Sequence, residues 1–271
     1  VPDRGGRGLV LAARIAGTLV LAAMIAPFLT AAWMSFAPGE VLEPPTGRWS
    51  IRWYREFLGS ARWMEALGTS LQVALLSLAG SLIGGLGLAV AVSRFHFHGR
   101  RLLSGSILLP LFVPAVVLAM GLLPLVRITR LWGSVFALAA AHSLTCLPVV
   151  FLVLRAALEK CDPALERAAR GLGAGPCLAF RRITLPLILP AVFAGCVMAL
   201  ILSLNEFTIA LFLSTPRVRT LPAALWPEAR DKETPLLAAA SCLSVLATLL
   251  GLLLARSVLR LDARGSTRGT R

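Results

Sequence analysis

Several uninterrupted apolar runs in this chain are long enough to cross a lipid hydrocarbon core, and they limit its fold more than any other feature. A core about 30 Å thick takes roughly 18–20 helical residues. The runs beginning near residues 15, 67, 103, 133, 185 and 236 all reach that length. Inside lipid only helices and closed barrels satisfy their own backbone groups. A barrel would alternate apolar and polar residues in strands of about ten, whereas these runs are solidly apolar. The expected class is all-α: a polytopic membrane protein with six transmembrane helices. The spans fall at about 15–36, 67–92, 103–126, 133–154, 185–213 and 236–255, in a single transmembrane domain over 1–271. Composition agrees, since 57% of the 271 residues are hydrophobic and only 15% are charged, well below the roughly 25% of an ordinary soluble domain.

A net charge of +14 would suit a nucleic-acid binder, but the basic residues sit in short clusters between apolar runs. That is the pattern of the positive-inside bias, and it argues against a nucleic-acid partner. Of the 27 Lys and Arg residues, 17 lie in the N-terminal tail, the 93–102 and 155–184 connections and the tail from Arg256. The other ten lie at 37–66, 127–132 and 214–235. Both termini are therefore expected in the cytoplasm. The first run follows Arg4, Arg7 and Arg14 as a signal peptide would, but it exceeds the 7–15 residues of a signal core and holds Pro27 and Trp33. It is read as a permanent helix. The cysteines (Cys146, Cys161, Cys177, Cys196 and Cys242) have neither CxxC nor zinc spacing, so they read as small apolar fillers. His96 and His98 flank Phe97 in a basic turn and make no metal site by themselves. No cofactor or metal is implied.

Prolines 110, 114, 124, 148, 186 and 190 fall in the middle spans. Each removes a backbone donor and predicts a kink or break. Gly80, Ser81, Gly84, Gly85 and Gly87 give the second span a face for close helix packing.

The 155–184 connection is too long and too regular to be a plain linker. Asp162 before Pro163 reads as an N-cap with proline at the first helical position. A short helix over Ala164–Arg170 follows, with Glu166 near its positive end. Gly171 and Gly173 permit the left-handed geometry that ends it. Gly175-Pro176 then opens a second short helix through Arg182.

Ala168-Ala169, Gly173, Ile183 and Leu185-Pro186, at these separations, resemble the EAA loop of bacterial ABC-importer permeases, the binding-protein-dependent inner-membrane components. Ser203-Leu-Asn-Glu-Phe207, the run Thr208–Pro216, Thr220-Leu221-Pro222 and Pro235 look like the spermidine/putrescine-type group of that family. Trp53-Tyr54 before Leu58 does so more weakly. The resemblance covers most of the chain from about residue 50 and implies a type I ABC-importer permease architecture. It further implies a coupling helix that docks in a cleft of a separate cytoplasmic ABC ATPase. Carried onto this chain, the coupling residues are Glu166, Arg167, Ala168, Ala169, Gly173, Ile183, Leu185 and Pro186. One position departs from the pattern: the residue just before the alanines is usually Glu and here is Arg167, with Glu166 one place earlier. The implied partners are two ATPase copies, a second permease subunit or a self-dimer, an extracytoplasmic solute-binding protein and the lipid bilayer. The implied location is the bacterial inner membrane. A polyamine or other small organic ion is the favoured solute, with sugar, ferric iron, thiamine and phosphonate as alternatives.

Glu206 is the only carboxylate within an expected span, where an ionised group must face protein or water. Two readings are open. With Asn205 it could line a translocation path and attract a cationic solute, or the pair could fix a bend by hydrogen bonds. His142, in the fourth span, reads as a hydrogen-bonded packing residue or a proton carrier. The sequence has no GxxxxGK[ST] run, so ATP binding falls to a partner. It has no HExxH or GxSxG either, which argues against an intramembrane enzyme. An ion-coupled secondary transporter would favour paired intramembrane charges or inverted repeats, and neither is visible.

Overall fold

The computed structural model describes residues 4–231 and 234–249, and the described residues are almost entirely helical. The chain divides into two compact units, one formed by the residues up to Met64 with Leu225–Ala247, the other by Glu65–Ala224. The helices are α1 (Arg4–Met34), α2 (Arg52–Gly59), α3 (Ala61–Arg94), α4 (Arg100–Leu108), α5 (Ala115–Ile128), α6 (Val135–Lys160) and α7 (Pro163–Gly171). They continue as α8 (Pro176–Asn205), α9 (Thr208–Leu213), α10 (Leu221–Asp231) and α11 (Pro235–Leu249).

In the first unit, α1 is an apolar helix of spanning length. The chain leaving it is pinned by polar contacts to α2. Trp53 Nε1 donates to Ala37 O at 3.1 Å, and the Ser35 and Tyr54 hydroxyls are 2.7 Å apart. Burial raises the Tyr54 phenol above its ordinary pKa. Phe57 stacks on Trp63 with ring centroids 6.0 Å apart. These aromatics fold the connection after α1 into a packed cap. The expected sixth span begins within α11, and its residues 250–255 lie outside the described residues, as does the tail from Arg256.

The second unit is organised by α6. Ala89 and Val92 of α3, Ile107 of α4, Val150, Phe151 and Leu154 of α6, and Ile188 and Ala199 of α8 form one buried cluster. A second joins Val73, Ala119, Leu138, Ala141, Ile209 and Leu213, bringing α5 and α9 onto α3 and α6. Helices α3 and α6 run parallel at close range. Cβ atoms added at Gly80, Gly84 and Gly85 would meet Ser143 Oγ at 2.7 Å, Leu147 Cδ1 at 3.0 Å and Val150 Cγ1 at 2.9 Å. Ser77 Oγ donates to Ala139 O at 3.0 Å along the same seam. This is the small-residue packing expected where no hydrophobic drive draws helices together. Gly87 is outside the seam, with open space where its Cβ would be.

Two expected spans are broken. The 103–126 span is a bent pair: residues Arg100–Leu111 and Ala115–Ile128 meet at 103°. Pro110 sits in the 3₁₀ turn Leu109–Leu111 and Pro114 is the N-cap of α5. The Pro114 ring excludes the preceding helical turn, and Val113 before it is driven from helical geometry. The 185–213 span stops at Asn205 and resumes at Thr208. Pro124, Pro148 and Pro190, by contrast, lie inside continuous helices.

Replacing Gly85 by Val is expected to destabilise the detergent-solubilised protein by about 1–3 kcal/mol through overpacking. Gly87→Ala should leave its melting temperature unchanged. Equal tolerance at both positions would contradict the seam.

Candidate functional site: a helical elbow between α6 and α8

The chain leaves α6 at Lys160 and turns at once into α7. Asp162 Oδ1 accepts from Ala164 N at 2.8 Å and Pro163 occupies the first helical position, so cap and proline together fix where α7 begins. The end of α7 is equally defined. Ala174 N donates to Ala169 O and Gly173 N to Arg170 O, both at 3.0 Å. This is the Schellman pairing, and it requires Gly173 at φ +90. Gly171 was expected to share that role, but it is the last residue of α7. Open space surrounds both glycines, so the demand at Gly173 is conformational rather than steric.

Beyond the elbow the structure corrects a second expectation. No separate helix ends at Arg182. Pro176–Ala179 passes through a π turn, Phe180–Thr184, directly into Leu185–Asn205. The elbow is thus one short helix joined to the first turns of a long one. Ile183 and Leu185 are half-buried at this junction, and Pro186 is exposed.

Glu166 holds the elbow in place. It is 9% exposed, and its partners come from separate segments. Thr184 Oγ1 of the π turn donates to its Oε1. Arg94 Nε at the end of α3 lies 3.5 Å from Oε1, and Arg170 of α7 3.7 Å from Oε2. The Arg94 guanidinium also reaches Cys161 O, at 3.4 and 3.5 Å. Desolvating a carboxylate is costly unless cations and donors compensate it, and here both are present. Arg167, the departure from the family pattern, points away and is exposed. So is Ala168, while Ala169 is half-buried.

Sequence reading missed Arg94 and Thr184, which are distant in the chain from Glu166. It also missed Leu165 and Leu172, 48% and 91% exposed. With Ala168 they recur three and four residues apart, Leu165 and Ala168 within α7 and Leu172 at its C-cap. That periodicity is visible in the sequence. These apolar side chains are exposed on a helix otherwise held by an ion cluster.

At the other break, Glu206 Oε1 accepts from Ile209 N at 2.9 Å, and Asn205 Nδ2 donates to Ile201 O at 2.8 Å. Glu206 therefore satisfies a backbone donor that the interruption frees at the start of α9, while Asn205 folds back onto the last turn of α8. Nearby, His142 Nδ1 and Ser203 Oγ are 3.0 Å apart between α6 and α8.

Apolar helices of spanning length, two of them joined by this short helical elbow, define a polytopic helical membrane protein. Residues 81–263 match the family described as "Binding-protein-dependent transport system inner membrane component". The chain belongs to that family and is a multi-pass inner-membrane permease subunit of an ABC importer; it is not an enzyme. It is 34% identical over 219 residues to the Putrescine transport system permease protein PotI of Escherichia coli (strain K12), with 78% of each chain covered. To the Spermidine/putrescine transport system permease protein PotC of the same strain it is 28% identical, over 80% of this chain and 83% of the relative. To the Molybdenum transport system permease protein ModB it is 37% identical, over 60% of this chain and 78% of the relative. Its fold is similar to a chain in the crystal structure of a bacterial alginate ABC transporter in complex with an alginate pentasaccharide-bound periplasmic protein. The TM-score there is 0.74 at 18% identity, covering 95% and 96% of the two chains. A type I permease architecture fits this likeness.

Replacing Glu166 by Ala leaves Arg94 uncompensated and should cost about 3 kcal/mol of local stability, read as faster amide exchange across 160–175. Arg94→Ala should do the same, and the double variant should cost less than the two together. Strict additivity would contradict a direct pairing.

Proposed function

We propose that the chain forms half of a translocation path for a polyamine or a similar small organic cation, driven by two copies of a cytoplasmic ATPase. The observation that carries the substrate is the identity to the putrescine permease over most of both chains. A small oxyanion is the second reading, because the molybdenum permease is as similar over a shorter stretch. In this reading an extracytoplasmic binding protein delivers the solute, as the family description implies. Apolar side chains exposed on α8, such as Leu187 and Met198, would be covered by a second permease subunit or a self-dimer and by lipid.

The α7 elbow is the lever. Leu165, Ala168 and Leu172 enter the ATPase cleft, Arg167 offers a cation to an acid on its rim, and Gly173 sets the angle. Glu166 faces inward and ties the elbow to α3 and α8. ATP binding then moves elbow and spans together, switching the path between outward and inward opening. Seventeen basic residues on the elbow side against ten on the other support a cytoplasmic location for that side and for both termini. Glu206 acts as a cap at the α8 break rather than as a cation ligand.

Reconstituted with its ATPase and binding protein, the importer should accumulate labelled putrescine or spermidine in preference to molybdate, and the reverse preference would favour the oxyanion reading. In that assay Gly171→Ala should be tolerated. Gly173→Val, which forces a branched side chain into left-handed geometry at a cost of about 1–2 kcal/mol, should uncouple ATP hydrolysis from uptake. Glu206→Gln keeps an oxygen for Ile209 N and should retain uptake; its loss with normal assembly would restore the cation-binding role. Uptake without any ATPase would defeat the whole proposal.

A further inference from the structure

At the end of the second unit that carries the elbow, Arg100, Arg101 and Ser104 of α4 and Arg155 of α6 line a cavity of about 310 Å³. Three guanidinium groups meet a single carboxylate there. Arg155 Nε donates to Glu159 Oε1 at 2.7 Å, and among the described residues no other ion pair involves these arginines. Two positive charges are left without a counterion around one concavity.

The cations also stand where a helix favours them least. Arg100 and Arg101 are the first two residues of the nine-residue α4, whose N-cap is Gly99 in left-handed geometry with no side-chain cap. The exposed amides at that end carry the positive pole of the helix, which stabilises anions and opposes cations. An anion in the cavity would compensate the arginines and meet the uncapped amides together. The general excess of basic residues on this side accounts for their number but not for their convergence.

The surroundings favour an anion carried by the bilayer. Arg100 and Arg101 open the first arm of the bent apolar pair Arg100–Leu111 and Ala115–Ile128, so the cavity lies at the end of a membrane-spanning segment, where phospholipid head groups lie. We propose that this cavity binds the phosphate head group of an anionic phospholipid, with Arg100, Arg101 and Arg155 as its ligands. Basic pockets between helices at a membrane face are suited to such head groups.

Native mass spectrometry of the intact importer tests it, with phosphatidylglycerol and phosphatidylcholine added in parallel and inorganic phosphate as a third arm. The wild type should retain phosphatidylglycerol preferentially. Arg100→Gln with Arg101→Gln should weaken that retention on the order of thirty-fold, and Arg101→Gln alone, at an exposed position, by a smaller factor. Arg100→Lys with Arg101→Lys preserves charge and should keep most of the preference, which guards against a folding artefact. Equal retention of both lipids by the wild type, or unchanged retention in the glutamine variants, would overturn the proposal. So would complete displacement of the lipid by inorganic phosphate, which would mark a soluble-anion site. Loss of the ATPase from the glutamine variants with lipid retention intact would overturn it too, by reassigning the arginines to a protein contact.

Discussion

The carboxylate of Glu166 is where the end of α3, the helix α7 and the start of α8 meet, and the geometry of the elbow depends on it. Arg94 and Arg170 supply charge, and Thr184 supplies a hydroxyl donor. A loop on the membrane surface has little apolar area to bury and would otherwise be free to fluctuate. A largely buried Arg94–Glu166 pair restrains it with few atoms, and removing either member leaves the other uncompensated. With Glu166 occupied inward, Ala168 and the flanking leucines are free to face outward. The ion cluster and the exposed Leu165 and Ala168 therefore fall on different faces of the same nine-residue helix.

The same economy governs the two helix interruptions. Backbone groups inside a membrane must find partners within the protein. At 206–207 the Asn205 and Glu206 side chains return to the backbone of their own chain. At 112–114 Pro114 has no donor to satisfy, and Phe112 N and Val113 N both donate to Leu109 O. Both breaks lie in the second unit, where α5 and α9 pack together with α3 and α6. Bent and broken helices around a close-packed parallel pair give a scaffold with rigid and yielding parts. A transporter that alternates between two openings needs both.

Much of this was legible in the sequence, for identifiable reasons. Asp162-Pro163 and Gly173 act through local geometry, so a short stretch of sequence fixes the start and end of α7. The apolar runs announce their helices because lipid leaves no other solution. The prolines were harder to read. Pro110 and Pro114 act together across one turn and break the helix, whereas Pro124, Pro148 and Pro190 are absorbed within continuous helices. Their outcome is set by packing, which single-chain patterns do not encode. Glu166 was read as a dipole-compensating residue and a stand-in for the missing motif acid, because its partners Arg94 and Thr184 are distant in sequence. Arg167 could be recognised as a departure, but its outward orientation follows only from the fold.

The central claim is that the elbow and the end of α3 move as one body, so that work done on α7 reaches the spans. Spin labels at Phe95, 61% exposed, and at Gly171, where open space surrounds an added Cβ, report on this directly when placed in the intact importer. Pulsed electron resonance would compare nucleotide-free and ATP-bound states. The account predicts that the distance between the labels stays constant within about 1–2 Å, the scale of small helix adjustments. A shift approaching one helical turn, about 5 Å, would show that the elbow swings independently of α3 and would contradict it.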